Sequence, residues 1–202
     1  MAVNGSPPQY SASSIQVLTF EEAVRRRPGM YFGLGQGDPR LVVAVVQRAV
    51  SAPFLWELRA GVGPVAVNAL VEADLRFTLS FNGLPPGIDP DAPGAGGGSL
   101  IRQPWQLSAT AAVSTRTTVT PSTGSRRWEQ HLTGGESVSA SRDCGACDEV
   151  GTRATFDLDP DFFAAGAKIP RSAAELTADL GFSGEIDLST WNLVITDLRS
   201  TN

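Results

Sequence analysis

Residues 10–33 read Tyr-Ser-Ala-Ser-Ser-Ile-Gln-Val-Leu-Thr-Phe-Glu-Glu-Ala-Val-Arg-Arg-Arg-Pro-Gly-Met-Tyr-Phe-Gly. The middle of this stretch predicts a helix over 15–27. Thr19 offers a hydroxyl to an unpaired amide of the first turn. Glu22, three residues on, can return the bond as the reciprocal half of a capping box. Val24 continues the apolar face. Arg25, Arg26 and Arg27 place positive charge on the last turn, where the helix dipole favours it. Pro28-Gly29 is read as the stop. Upstream, residues 1–14 are small and polar with a Pro7-Pro8 pair and are read as a flexible N-terminal arm. Residues 15–202 are read as one domain.

Working outward, residues 33–39 (Gly-Leu-Gly-Gln-Gly-Asp-Pro) form a loop. From Pro39 to Ala52 the chain is almost wholly apolar. The length of that run argues for a buried helix, although its β-branched content also suits a strand. After Pro53 the pattern changes. Residues 64–71 and 75–81 alternate with period two and predict two antiparallel strands joined by an acidic turn at Glu72–Asp74. Residues 82–99 are rich in Gly and Pro and read as loop. Further strands are expected at 126–133, 136–142, 152–158 and 191–198, with a short helix over Ala173–Leu180. Helices first, then strands with a helix among them, is the order of an α+β sandwich rather than a doubly wound sheet.

The chain has 202 residues, 42% of them hydrophobic and 18% charged, with a formal charge of −5. A chain of this size can bury a core without disulfides or metal. Its acidity argues against a broad phosphate-binding face, so no direct DNA binding is expected. Of the 16 basic residues only Lys168 is a lysine, and it lacks the glycine context of a phosphate loop. No apolar run approaches the roughly 18 residues of a membrane span. Met1 to Ser14 carries no signal pattern, so the expected compartment is the cytoplasm. Cys144 and Cys147 form a Cys-x-x-Cys in what reads as a polar surface loop. Such a pair can be redox-active or half of a zinc site. Zinc needs four ligands, and His131 is the only histidine, so no metal site is assigned. That single histidine, in a strand pattern beside Trp128 and Leu132, also argues against a Ser-His-Asp triad.

The stretch over 10–33 resembles the start of the ATPase domain of the DNA gyrase B protein and its topoisomerase IV relatives. That family opens Tyr-x-x-Ser-Ser-Ile-x-Val-Leu and runs into Glu-Ala-Val-Arg-x-Arg-Pro-Gly-Met-Tyr-Ile-Gly. The segment from Asn82 to Asp91 looks like the family's Asp-x-Gly-x-Gly-Ile-Pro-x-Gly-Ile-His-Pro. Gly151-Thr152-Arg153-Ala154-Thr155-Phe156 is similar to its Gly-Thr-x-Val-x-Phe. Order and spacing fit from residue 10 to about 200. The resemblance implies the GHKL, or Bergerat, fold: a mixed, mostly antiparallel sheet with helices on one face.

The residues that would carry the family's chemistry differ here. The resemblance places the general base at Ala44, its Asp partner at Gln47, and the magnesium-ligating Asn at Arg48. A methyl group accepts no proton, and a guanidinium offers magnesium no oxygen. Leu79 stands at the adenine-reading Asp, Phe81 at a glycine and Asn82 at an Arg, while Gly83 is retained. Gln103 to Ala112 stands where the family has a glycine-rich phosphate lid and contains no glycine. Thr152 keeps the adenine-side position. A shifted alignment could make Glu57, Glu72 or Asp74 the base.

Ala44, Val45, Leu79, Leu84, Pro85 and Ala154, with Gln47, Arg48, Asn82, Gly83 and Thr152 as the polar or glycine positions, are the expected lining of the former nucleotide cleft. Two outcomes are open for it: a cleft reshaped for a small apolar or anionic ligand, or a cavity filled by core side chains. The expectation is a catalytically inactive pseudo-ATPase domain, without transducer and without cofactor, that acts by binding a protein partner or ligand. A repurposed small-molecule binder or biosynthetic enzyme is the alternative, and a surviving ATP-binding topoisomerase-type domain is a third. The resemblance makes Tyr10 and Ile15 part of a dimer-forming arm. Without ATP to close it, a monomer or weak homodimer is expected.

Overall fold

The Thr19 cap forms as its sequence predicts. The Glu22 amide donates to Thr19 Oγ1 at 3.1 Å, and the Thr19 amide donates to Glu22 Oε2 at 2.9 Å. They open α1, Phe20–Arg26. Pro28 does not stop the helical region. It starts a second helix, α2, over Pro28–Phe32, because the missing N–H costs nothing at a first helical position. Gly33 ends α2 in the left-handed region at φ 79°. This computed structural model describes residues 16–60, 65–84, 99–101, 104–177 and 192–199.

Helix α3 spans Leu41–Ala60 and contains Pro53. The proline therefore lies inside the helix that it was expected to terminate. It removes one amide donor, to the Ala49 carbonyl. One turn earlier the Ser51 hydroxyl donates to the Arg48 carbonyl at 3.0 Å. The remaining elements are β1 (Ala66–Ala73), β2 (Arg76–Phe81), α4 (Trp105–Ala112), β3 (Ser114–Thr123), β4 (Arg126–Thr133), β5 (Glu136–Ser137), β6 (Arg142–Ala146), β7 (Val150–Leu158), α5 (Ala173–Thr177) and β8 (Asn192–Asp197). The strands make one sheet in the order β5-β4-β3-β7-β2-β1-β8, with β6 also paired to β4. Among the described strands only β8 runs parallel to its neighbour, β1. The sheet is thus mixed and mostly antiparallel, as expected.

Register explains which face is buried. Leu79 on β2 lies opposite Ala69 on β1 and Ala154 on β7, and Ala154 lies opposite Val119 on β3. This row, and the rows two residues to either side, join α3 and α4 in one buried apolar cluster that includes Val45, Val46, Leu107, Phe77 and Phe156. The alternate residues face away and are mostly polar on the central strands, with Ala66, Leu70 and Val194 among the exceptions. Asn68, Ser80, Arg153 and Thr120 form one such row across β1, β2, β7 and β3. The architecture is an α+β two-layer sandwich with helices covering one face of the sheet.

Two arginines lock the edges. Arg25 on α1 donates to the Ala112 carbonyl at 3.0 Å and to Asp159 at 2.5 Å, and its guanidinium lies 5.2 Å from the Phe162 ring centre. Its role is packing α1 onto the end of α4. Arg199, whose side chain is only 7% exposed, donates to Asp197, to Asp74 and to the carbonyls of Ile169 and Pro170. The guanidinium, through its hydrogen bonds, holds the Asp197 carboxyl down to about 2. In the unfolded chain this carboxyl titrates near 4, roughly its ordinary value. The pairing therefore stabilises the fold fully above about pH 4 and is lost as pH falls through about 2. Asp197→Asn is expected to flatten the acid limb of the stability–pH profile across that window, read by urea unfolding at stepped pH. An unchanged acid limb would show that the carboxylate contributes nothing there.

Candidate functional site

The expected cleft lies between α3 and the central strands. Val45 on α3, Leu79 on β2 and Ala154 on β7 are each 0% exposed and share the one core cluster. Ala44, Gln47 and Arg48, on the same helix, are half-buried. The Gln47 amide donates to the Glu175 carbonyl at 3.3 Å and so ties α3 to α5. Arg48 makes no ion pair among the described residues. The Thr152 hydroxyl, buried, donates to the Gly83 carbonyl at 2.7 Å. The bond joins β7 to the chain leaving β2. Asn82 is exposed and accepts from the Ala66 amide at 2.7 Å, extending the β1–β2 pairing by one bond. Leu84 is half-buried.

Thus Val45, Leu79 and Ala154 meet in the core with Ala44 packed against them. Thr152 is tied to Gly83 at the β2 end beside Asn82 and Leu84, and Gln47 is turned to α5. No side-chain hydrogen bond or ion pair joins Arg48 to them among the described residues. Pro85, Tyr10 and Ile15 lie outside the described residues, as does the Glu57 side chain. The two other alternative bases sit at the β1–β2 turn, where Glu72 accepts from Arg76 at 2.9 Å and Asp74 from Arg199 at 3.3 Å.

The Cys-x-x-Cys was expected in a surface loop. Cys144 instead belongs to strand β6, on the edge of β4, and Cys147 follows it. Both thiols are free, and Arg127 donates to Cys147 Sγ at 3.2 Å. The Gly145 amide and Arg126 hold the neighbouring Asp143 carboxyl below its ordinary value. Among the described residues no cluster of three or more His, Cys, Asp or Glu side chains could hold a metal ion. His131 packs between Thr118, 3.2 Å from Nδ1, and Glu129, 3.3 Å from Nε2. No helix among the described residues is long and apolar enough to cross a membrane.

A second feature is not evident from the sequence. A concavity of about 370 Å³ opens on the sheet face turned away from α3. Its floor includes Asn68, Ser80, Thr120 and Arg153. The available signal is period-two polarity on four strands, but only the strand order makes those residues neighbours.

A buried helix laid on a mixed sheet, with β7 between β2 and β3, is a GHKL-type arrangement. No protein-family profile matches the chain. Comparison with known proteins finds the novobiocin-sensitive DNA gyrase B protein of Streptomyces niveus, 33% identical over 176 residues. It also finds the DNA gyrase B protein of Streptomyces coelicolor, 32% identical over 173 residues. The novobiocin-resistant gyrase B protein of Streptomyces niveus is 31% identical over 176 residues. Each match covers 76% of this chain, and the chain spans 25% of each relative. The chain carries a gyrase-B-like domain.

The position of Leu79 yields a direct test. Leu79→Asp would put a carboxylate between Ala69 and Ala154, inside the buried apolar cluster. It is expected to destabilise the fold by about 3–5 kcal/mol, the scale of an uncompensated buried charge. Chemical denaturation measures this; a loss below about 1 kcal/mol would mean that the position reaches solvent.

Proposed function

We propose that this gyrase-B-like domain does not hydrolyse ATP and acts by binding, in the cytoplasm, as a monomer or weak homodimer. The observation that carries the reading is Leu79, a fully buried apolar side chain where the resemblance places the adenine-reading carboxylate. The helix opposite supports it. Ala44 stands at the position of the base and Arg48 at that of the magnesium ligand. Without a proton acceptor beside the attacking water, and without an oxygen donor for the metal, phosphoryl transfer has no route through these positions. Thr152 keeps its place, but its hydroxyl is engaged by the Gly83 carbonyl.

Calorimetric titration with ATP and magnesium, paired with a phosphate-release assay, tests this. The expected result is no saturable heat in the micromolar range and no release above the blank. Micromolar binding that Leu79→Ala or Arg48→Ala abolishes would overturn it.

A second reading is favoured by Arg48 itself. It is a half-buried cation with no ion pair among the described residues, on the helix that presents Val45 to the sheet. A guanidinium beside apolar walls suits a small anionic ligand with a hydrophobic body. Octanoate is a plain probe of that chemistry. The reading expects it to raise the melting temperature of the protein and not that of Arg48→Ala. An equal shift in both would rule the reading out.

A further inference from the structure

The concavity on the open face of the sheet meets the expected nucleotide cleft only at Asn82 and Thr152, which also line it; its floor belongs to the other face. Strand alternation puts the two on opposite sides. Leu79 and Ala154 face α3, whereas their neighbours Ser80 and Arg153 face outward and oppose each other across β2 and β7. Asn68 flanks Ser80 on β1, and Thr120 flanks Arg153 on β3. All four lie in one cross-strand row and line the concavity.

Its chemistry is one-sided. Asn68, Ser80 and Thr120 make no side-chain hydrogen bond, and Arg153 no ion pair, among the described residues. One wall is Arg127, fixed by donation to Ser122 at 3.3 Å and to Glu149 at 3.1 Å. Glu149 offsets Arg127, so Arg153 is the charge left over. Gly151 keeps the floor low: a Cβ there would stand 2.6 Å from the Phe81 carbonyl oxygen. A guanidinium forks onto a carboxylate or phosphate. Hydroxyl and amide side chains both donate and accept, which matches the hydroxyls of a polyol. The volume, about 370 Å³, falls in the range of small-molecule sites rather than single ions.

We infer that this open-face concavity binds a small hydroxylated anion, its charged group on Arg153 and its hydroxyls on Asn68, Ser80 and Thr120. The inference goes beyond the proposed function and survives its failure, because no residue of the α3 cleft contributes one of these four side chains.

The test uses the full chain, isotope-labelled, with amide shifts followed by NMR. Glucose 6-phosphate and gluconate are the two probes, with glucose and inorganic phosphate as controls. One of the two probes is expected to give saturable shifts at Ser80, Phe81 and Gly151–Arg153. Stronger binding of glucose 6-phosphate assigns a phosphate ester; stronger binding of gluconate assigns a carboxylate. Both controls are expected to bind at least about tenfold more weakly. Arg153→Gln and Ser80→Ala, each on a solvent-facing position, are expected to weaken the better probe by about tenfold and a few-fold respectively. Absence of saturable shifts with either probe, shifts that survive Arg153→Gln, or shifts centred on Arg48 would each overturn the assignment.

Discussion

The layer of side chains between α3 and the central strands sets the terms for the rest of the domain. Leu79, flanked by Ala69 and Ala154, meets the apolar side of a helix that supplies Val45 and Val46. Burying a leucine of this kind contributes about 1.5–3 kcal/mol, and the row repeats across four strands. A carboxylate at the same position needs a charged or hydrogen-bonding partner, and the neighbours here supply methyl groups. Close packing along this seam and polar recognition through it are competing uses of one surface. The clamp at Arg25 and the tie from Gln47 to α5 position elements around that seam and do not enter it.

The same alternation that fills one side of the sheet frees the other. Each residue turned toward α3 forces its neighbours outward, so an apolar row on one face implies a row of matching register on the opposite face. On this chain the outward row is Asn68, Ser80, Arg153 and Thr120. Paired side chains hold much of the surrounding face. Thr78 and Thr155 lie 2.8 Å apart, and Arg76 joins Glu72 and Asp157, both at 2.9 Å. The concavity is where that pairing stops.

Much of this is legible in the sequence, and the failures have physical causes. The Thr19–Glu22 box and the β1–β2 hairpin rest on short-range rules, hydrogen-bond reach and period two, and both form. Pro28 and Pro53 read as stops because proline lacks a donor. At a first helical position the loss is free, and inside a long buried helix packing outweighs one missing bond. β6 reads as loop because Arg142–Ala146 has no buried face to impose a period; backbone pairing to β4 alone makes it a strand. Leu79 and Arg48 are placed by likeness of motif, and their burial follows from no local pattern. The open-face row needs the order β3-β7-β2-β1, which no single strand encodes.

The parallel pairing of β8 with β1 has a kinetic side. Arg199 and Asp74, which meet at this edge, are separated by 125 positions in the chain. Contacts that distant form late, because closing the loop costs entropy before any pairing offsets it. Until β8 arrives, β1 presents a row of unpaired backbone groups beside the apolar stripe of Val67, Ala69 and Val71. Such an edge is a template for pairing with other chains. In the folded chain β8 covers that edge, and the bonds of Arg199 to Asp74, Ile169 and Pro170 hold the strand's end in place.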